Sequence, residues 1–214
     1  MGLTIHGSPY STCSQRVFTA LAEKGVEAEL HSLNFATGEH KQPAHLKLQP
    51  FGKVPVLEDD GFFVYESRAI AKYIAKKYAG QGTKLMPEES DLKAYALFEQ
   101  ACSIEQNYFD GPANGICFEK VFKPMKGLGA TDEVVVKKHA ANLDAALAVY
   151  DGILAKQAYL AGDEITLADL FHLPYGCMVK AQGFGDIFAK YPNVTRWFDA
   201  LVARESWQKA TSRK

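Results

Sequence analysis

The rhythm of hydrophobic and polar positions changes near Met86. Upstream, short β-type runs alternate with helical stretches; downstream nearly everything follows a helical period. Leu3 to His6 is a short apolar-leaning run that ends in Gly7-Ser8-Pro9. Val17, Ala20 and Leu21, spaced i, i+3, i+4, then predict a helix over 12–24 with Gly25 as its stop. Val26 to Leu33 alternates like a half-buried strand. Beyond the polar loop Phe35 to Lys41, a short helix is expected over 42–48, followed by the turn Gln49-Pro50-Phe51-Gly52. Val54 to Leu57 and Phe62 to Val64 flank Glu58-Asp59-Asp60-Gly61, whose Asp-Gly ending is a hairpin signal. Ala69, Ile70, Tyr73, Ile74 and Lys77 place a helix over Ser67 to Tyr78. The order is β-α-β-α-β-β-α.

Gly80-Gln81-Gly82-Thr83 and Pro87 read as a linker. The pattern past it predicts one long helix over 88–109 and another over 131–156, with Val136, Ala140, Leu143, Leu147, Tyr150 and Leu154 as a bundle-type stripe. The stretch between them, Gly111 to Gly129, is rich in Gly, Pro and aromatics and reads as loop or broken helix. Thr166-Leu167-Ala168-Asp169 is a capping signature for a helix through about Lys180, and Asn193 to Ala203 supplies another. The fold class is therefore α/β plus all-α: a mixed domain over 1–80, a linker over 81–89 and a helical domain over 90–214.

Composition narrows the function classes. The 214 residues are 47% hydrophobic and 23% charged, which excludes disorder and a disulfide mini-scaffold. A net charge of -1 gives no global field for nucleic acid or anionic lipid. No apolar run reaches the roughly 20 residues that span a bilayer, and Met1 to Tyr10 lacks signal-peptide character, so a cytoplasmic address without nucleic-acid or membrane partners is expected. Cys13, Cys102, Cys117 and Cys177 are widely separated, with no C-x-x-C, which predicts reduced thiols and no metal site.

No G-x-G-x-x-G, Walker loop, H-E-x-x-H or G-x-S-x-G occurs. What stands out is Ser8-Pro9-Tyr10-Ser11-Thr12-Cys13-Ser14, a hydroxyl-rich turn opening the first helix. Ser11 or Thr12 can simply cap that helix, or the free N–H groups and dipole of the helix end can hold an anion such as a thiolate. Gly38-Glu39-His40-Lys41, Lys53-Val54-Pro55 and Glu66-Ser67-Arg68 would suit a peptide-like anion spread over the same face. Singly, they read as a solvated loop, a strand edge and a helix cap.

In combination these motifs carry a resemblance. Ser11-x-x-x-x-Arg16, Gly38-Glu39-His40-Lys41, Pro50-Phe51-Gly52-Lys53-Val54-Pro55, Glu66-Ser67-Arg68-Ala69-Ile70 and Leu160-Ala161-Gly162-Asp163-Glu164 through Ala168-Asp169 span almost the whole chain. In that order the chain resembles the cytosolic glutathione S-transferases, and is most similar to the phi class. The resemblance implies a thioredoxin-like first domain, a helical second domain that completes the electrophile site, a homodimer, and a cis peptide before Pro55. It implies glutathione as co-substrate with no tightly bound cofactor, and a small hydrophobic electrophile, or an organic hydroperoxide, as second substrate.

By the same resemblance Ser11 is the catalytic serine. Glu66 and Ser67 hold the γ-glutamyl ammonium and carboxylate, His40 and Lys41 the glycyl carboxylate, and the Val54 backbone, before Pro55, the cysteinyl amide. Lys53 replaces the glutamine more usual in this motif and would reach the glycyl end as a point charge. The electrophile pocket is expected from Tyr10, Thr12, Phe35, Tyr108, Phe109, Phe118 and Phe122, each of which could equally be core.

The chemistry these residues must perform is modest. A thiol with a pKa of about 8.5 is mostly protonated at neutral pH, and a serine is no base. Its hydroxyl can donate a charge-assisted hydrogen bond of about 1.5–3 kcal/mol, to which the helix end adds about 0.3–1 kcal/mol. At about 1.36 kcal/mol per unit, the thiol pKa falls by roughly one to three units. Two alternatives remain beside this reading: a thiol transferase that uses Cys13 to form a mixed disulfide with glutathione, and a non-catalytic carrier of small apolar ligands.

Overall fold

Buried Leu3, Ile5 and Gly7 alternate with half-buried Thr4 and His6 along β1 (Leu3–Gly7), the pattern of a strand with one face on a core. A computed structural model describes residues 2–213 of the chain. β1 runs parallel to β2 (Ala28–Ser32) and antiparallel to β3 (Val56–Asp59), which pairs antiparallel with β4 (Phe62–Tyr65). The result is a mixed sheet of order β2-β1-β3-β4. A parallel pair needs a crossover, and α1 (Thr12–Glu23) supplies it. Val17, Phe18 and Leu21 of α1 are buried with Ile70, Ala71 and Ile74 of α3 (Ser67–Lys77), and the two helices pack together. Each such aliphatic side chain contributes about 1.5–3 kcal/mol.

Local chemistry sets the turns. Gly25, at φ 62°, ends α1, and the Val26 N–H reaches back to the Leu21 carbonyl at 2.9 Å, a glycine-terminated helix end. Asp60 and Gly61 both have positive φ, 50° and 83°, as the tight two-residue hairpin between β3 and β4 requires. The short helix expected over 42–48 is α2 (Pro43–Leu46), preceded by a single 3-10 turn at Glu39–Lys41.

The described chain divides into two units: residues up to Met86 together with those from Arg204 on, and Pro87–Ala203. The sequence pattern assigned everything over 90–214 to the helical domain, but α12 (Glu205–Thr211) packs on α1 of the first unit. One carboxylate anchors the tail there. Glu23 accepts hydrogen bonds from Ser206 Oγ at 2.6 Å, Thr83 Oγ1 at 2.6 Å and Arg204 Nη2 at 2.8 Å, and is paired with Arg204 Nε as well. Burial opposes its ionisation, but the Arg204, Ser206 and Thr83 bonds outweigh that and hold the carboxyl below its usual range. Trp207 and Ala210 bury the apolar side of α12. The linker is strapped down beside it: buried Lys24 donates to the Thr83 carbonyl at 2.9 Å, and a Cβ on Gly82 would lie 2.3 Å from the Glu23 carbonyl oxygen.

In the second unit, α4 (Leu92–Ile104) continues through a π-helical segment, Glu105–Asp110, into α5 (Gly111–Cys117), a second π-helical segment, Phe118–Phe122, and α6 (Lys123–Met125). The stretch expected as loop or broken helix is therefore helical as far as Met125, its irregularity taking the form of π turns. Pro112 and Pro124 each lie just after a π-helical segment, and Ala113, Ile116 and Cys117 are buried. α7 (Glu133–Leu154), capped by Asp132, buries Val136, Leu143, Leu147, Tyr150 and Leu154 as the stripe predicts.

The helix expected from Thr166 to Lys180 is divided into α8 (Leu167–Leu170) and α9 (Leu173–Val179), with Pro174 in the first turn of α9. α10 (Gly185–Ala189) and α11 (Pro192–Val202) follow. The fully buried Asp169 carboxylate organises this region. It accepts from the Leu160 and Thr166 N–H groups and from Trp197 Nε1, each at 2.9 Å, and from Thr166 Oγ1 at 3.1 Å. Burial pushes its carboxyl up, and these donors act against that push.

Candidate active site

The register of the sheet brings the sequence motifs to one end of it. Gly7 pairs with Ser32, His6 with Val56, and Val56 with Tyr65. The segments that leave β1 and β2, enter β3 and leave β4 therefore share one edge of the first unit. They are Ser8–Ser11, Phe35–Lys41, Lys53–Pro55 and Glu66–Ser67. Gly7 lets them close up: a Cβ there would meet Ser14 Oγ at 2.7 Å and would lie 3.6 Å from Pro55 Cβ.

Ser11 is the N-cap of α1, and its Oγ accepts the Ser14 N–H at 3.3 Å. Among the described residues no acceptor takes its hydroxyl proton. A half-exposed O–H thus stands free to donate at the positive end of a 12-residue helix. Ser8 completes the turn, its carbonyl accepting the Ser11 N–H at 3.1 Å.

Arg16, one turn into α1 and 1% exposed, donates from Nη1 to Ser67 Oγ at 2.9 Å and lies 3.8 Å from Cys13 Sγ. This bond ties the start of α3 to the start of α1. Glu66 precedes α3 with φ 72° and ψ 109°, a conformation that L-residues rarely adopt and that costs about 1–3 kcal/mol. Its side chain is exposed, and its carbonyl accepts the first helical bond, from Ile70 N, at 2.9 Å.

The third cluster is basic. His40 meets the Phe35 ring edge-on at 5.0 Å, and Lys41 Nζ donates to the Phe51 carbonyl at 2.9 Å. The Val54-Pro55 peptide is cis. Exposed Lys53 is held by its backbone: buried Gln49 accepts its N–H at 3.1 Å through Oε1, and buried His45 donates to its carbonyl at 2.7 Å.

Comparison with known proteins assigns this arrangement. Residues 1–76 match the glutathione S-transferase N-terminal domain and residues 85–205 the C-terminal domain. The chain belongs to the glutathione S-transferase family. It is 50% identical over 212 residues to glutathione S-transferase hmp2 of Hypomyces subiculosus, covering 99% of each chain. In structure it is similar to glutathione transferase F7 of Populus trichocarpa, at a TM-score of 0.93 and 35% identity over 97% of each chain. It is also similar to glutathione S-transferase I of maize in complex with an atrazine glutathione conjugate, at a TM-score of 0.91 and 36% identity, covering 99% of this chain and 97% of that one. The first unit is the family's thioredoxin-like domain and the second its helical domain, with the phi class as the nearest likeness.

The glutathione S-transferase aromatics fall into three groups. Tyr10, at 79% exposure, and Phe35 are open to solvent in the first unit, and Tyr108 and Phe118 are open in the second; Phe122 is half-buried. Phe109 corrects the expectation for the electrophile pocket. It is fully buried in the core of the second unit, 4.5 Å from the His172 ring and beside Tyr150 and Phe188. Thr12 is likewise buried in the first turn of α1.

Sequence reasoning gave no role to Arg16, Gln49 or His45. Arg16 sat in the resemblance motif, and a helical arginine among apolar neighbours was its available signal. Gln49 and His45 carried none, since only the fold sets their side chains against the Lys53 backbone. Among the described residues no group of three or more His, Cys, Asp or Glu could hold a metal ion, and no helix is long and apolar enough to cross a membrane.

Proposed function

We propose that this family member joins glutathione to small hydrophobic electrophiles, with Ser11 stabilising the glutathione thiolate. The observation that carries this reading is the half-used hydroxyl: Ser11 Oγ accepts the Ser14 N–H, which leaves its own proton to donate to a sulfur anion. The thiol proton goes to solvent. The sulfur then attacks the electrophilic carbon, forming a C–S bond as the bond to the leaving group, chloride in a chlorinated aromatic, breaks. The complex of maize glutathione S-transferase I with an atrazine glutathione conjugate supports this reaction class.

The rest of the edge binds the tripeptide. In this reading Glu66 and Ser67 take the γ-glutamyl ammonium and carboxylate, with Arg16 holding Ser67 in place. The Val54 backbone takes the cysteinyl amide. His40 and Lys41 take the glycyl carboxylate, and Lys53 adds a point charge near it. Tyr10, Phe35, Tyr108, Phe118 and Phe122 are the aromatics available to an apolar second substrate. Orientation of a pre-formed thiolate supplies the remaining acceleration. The active species is proposed to be a homodimer.

A pair of variants tests the assignment. With a chlorinated dinitroaromatic as substrate, Ser11→Ala should lower kcat/KM at neutral pH by about 10–100-fold, whereas Cys13→Ser should change it by less than about threefold. The reverse result, with a glutathione mixed disulfide turned over only when Cys13 is present, would make Cys13 the reactive group.

A further inference from the structure

The segment that leaves β2 and returns to β3 carries an excess of one sign of charge. From Leu33 to Leu57 the chain has three lysines, Lys41, Lys47 and Lys53, against a single acid, Glu39. That acid is committed to the backbone, its Oε2 accepting the Asn34 N–H at 2.7 Å. No carboxylate pairs with Lys41 or Lys53 among the described residues, and the exposed Lys53 side chain has no polar partner among them at all. Lysines elsewhere are treated differently: Lys77, Lys120, Lys123, Lys180, Lys190 and Lys209 each meet an Asp or Glu.

The backbone brings two of these lysines together. Lys41 Nζ donates to the Phe51 carbonyl at 2.9 Å, and its side chain lies across Gly52, where a Cβ would sit 2.8 Å from both Lys41 Cδ and Nζ. Gly52 has φ 59°, so the left-handed backbone and the bare Cα are both needed there. The next residue is Lys53, whose N–H is accepted by Gln49 and whose carbonyl accepts from His45, both buried. Its main chain is thus fixed one residue from the Lys41 ammonium, while its own ammonium stays in solvent. Two ammonium groups are one more than a glycyl carboxylate needs. A second carboxylate brought to Lys53 gains Coulomb energy, whereas a neutral group of the same size does not. The glutamine more usual at this position can hydrogen-bond but carries no charge with which to select one.

We propose that the thiol site discriminates at the third residue of its peptide, favouring a γ-glutamyl-cysteine peptide that ends in an acidic residue over one that ends in a neutral residue, with Lys53 as the specificity-determining side chain. This inference rests on the reading that the edge of the first unit binds a γ-glutamyl-cysteine peptide, and adds to it the class of peptide preferred.

The test is steady-state conjugation of a chlorinated dinitroaromatic by the full chain, at neutral pH and low salt, with γ-Glu-Cys-Gly, γ-Glu-Cys-Gln and γ-Glu-Cys-Glu as thiol substrates. The last two peptides match in size, so their ratio reads charge. With an exposed ion pair as the source of selectivity, kcat/KM should be roughly two- to fivefold higher for γ-Glu-Cys-Glu than for γ-Glu-Cys-Gln, through KM. That ratio should fall to about one in Lys53→Gln and in about 0.5 M salt, and should persist in Lys53→Arg. Equal kcat/KM for the two peptides in the wild type, or a preference that survives Lys53→Gln, would overturn the inference, and turnover of γ-Glu-Cys-Gly in the same experiment would leave the transferase reading standing. Absence of conjugation with all three peptides would overturn both.

Discussion

The two ends of α1 carry polar groups of opposite design. At the carboxyl end, Glu23 is wrapped by Arg204, Ser206 and Thr83, and Lys24 is pinned to the linker carbonyl; every strong group there has its partner within the first unit. At the amino end, Ser11 accepts one bond and keeps a hydroxyl proton to give. One helix thus has a closed end that holds the tail and linker, and an open end whose hydroxyl proton has no acceptor among the described residues. A fully satisfied network adds stability and leaves nothing for a ligand, whereas an incompletely used donor at a helix amino terminus is where binding and chemistry can occur.

Substitutions should separate the two ends, beginning with the largest effect. Glu23→Ala removes the acceptor of three side chains and leaves the Arg204 charge beside buried groups. It should cost about 3–5 kcal/mol of unfolding free energy in denaturant titration, and leave the thiol pKa of bound glutathione unchanged in the folded fraction. A shifted thiol pKa would mean that the ends are coupled.

The second prediction concerns pH. Because the Arg204, Ser206 and Thr83 bonds hold the folded-state Glu23 carboxyl below the usual carboxylate range, its contribution is present above that range and is lost as pH falls through the lowered folded-state pKa. Protection of α12 amides from hydrogen exchange should therefore fall in this acid range, and more steeply than in Glu23→Gln. Parallel profiles in the two proteins would show that some other group governs the acid loss.

Gly7→Ala should cost about 1–3 kcal/mol, since its Cβ would sit 2.7 Å from Ser14 Oγ, and should raise KM for glutathione by disturbing the first turn of α1. Wild-type stability in this variant would mean that the edge is slack. The smallest effect belongs to Lys53→Ala. An exposed charge is worth less than about 1 kcal/mol, so KM for glutathione should rise by roughly two- to threefold and kcat stay unchanged. A loss of tenfold or more would give Lys53 a direct hold on the tripeptide.

Much of this fold was legible in the chain because local rules and tertiary packing agree there. The Val17-Ala20-Leu21 spacing, the Asp60-Gly61 turn and the α7 stripe each name an element that the structure contains. Legibility failed where distant partners decide. Nothing near Arg204 in sequence shows that the tail returns to Glu23, 181 positions away. The Gly- and Pro-rich stretch after Gly111 has weak local helix preference, yet packing against α7 carries it through as α and π turns. Phe109, expected in the pocket, lies in the core of the second unit, while Tyr108 beside it in the first π segment stays outside. The edge motifs could be read as a set, but their support from Arg16, Gln49 and His45 depends on side chains that only the folded sheet brings together.

The most direct measurement is a titration of enzyme-bound glutathione followed by its ultraviolet thiolate absorbance, in the wild type and in Ser11→Ala. The donor at the α1 amino end should place the bound thiol roughly one to three units below the free value of about 8.5, with most of that shift lost in the variant. A bound thiol that titrates like free glutathione, or a depressed value that survives the loss of the hydroxyl, would contradict the account.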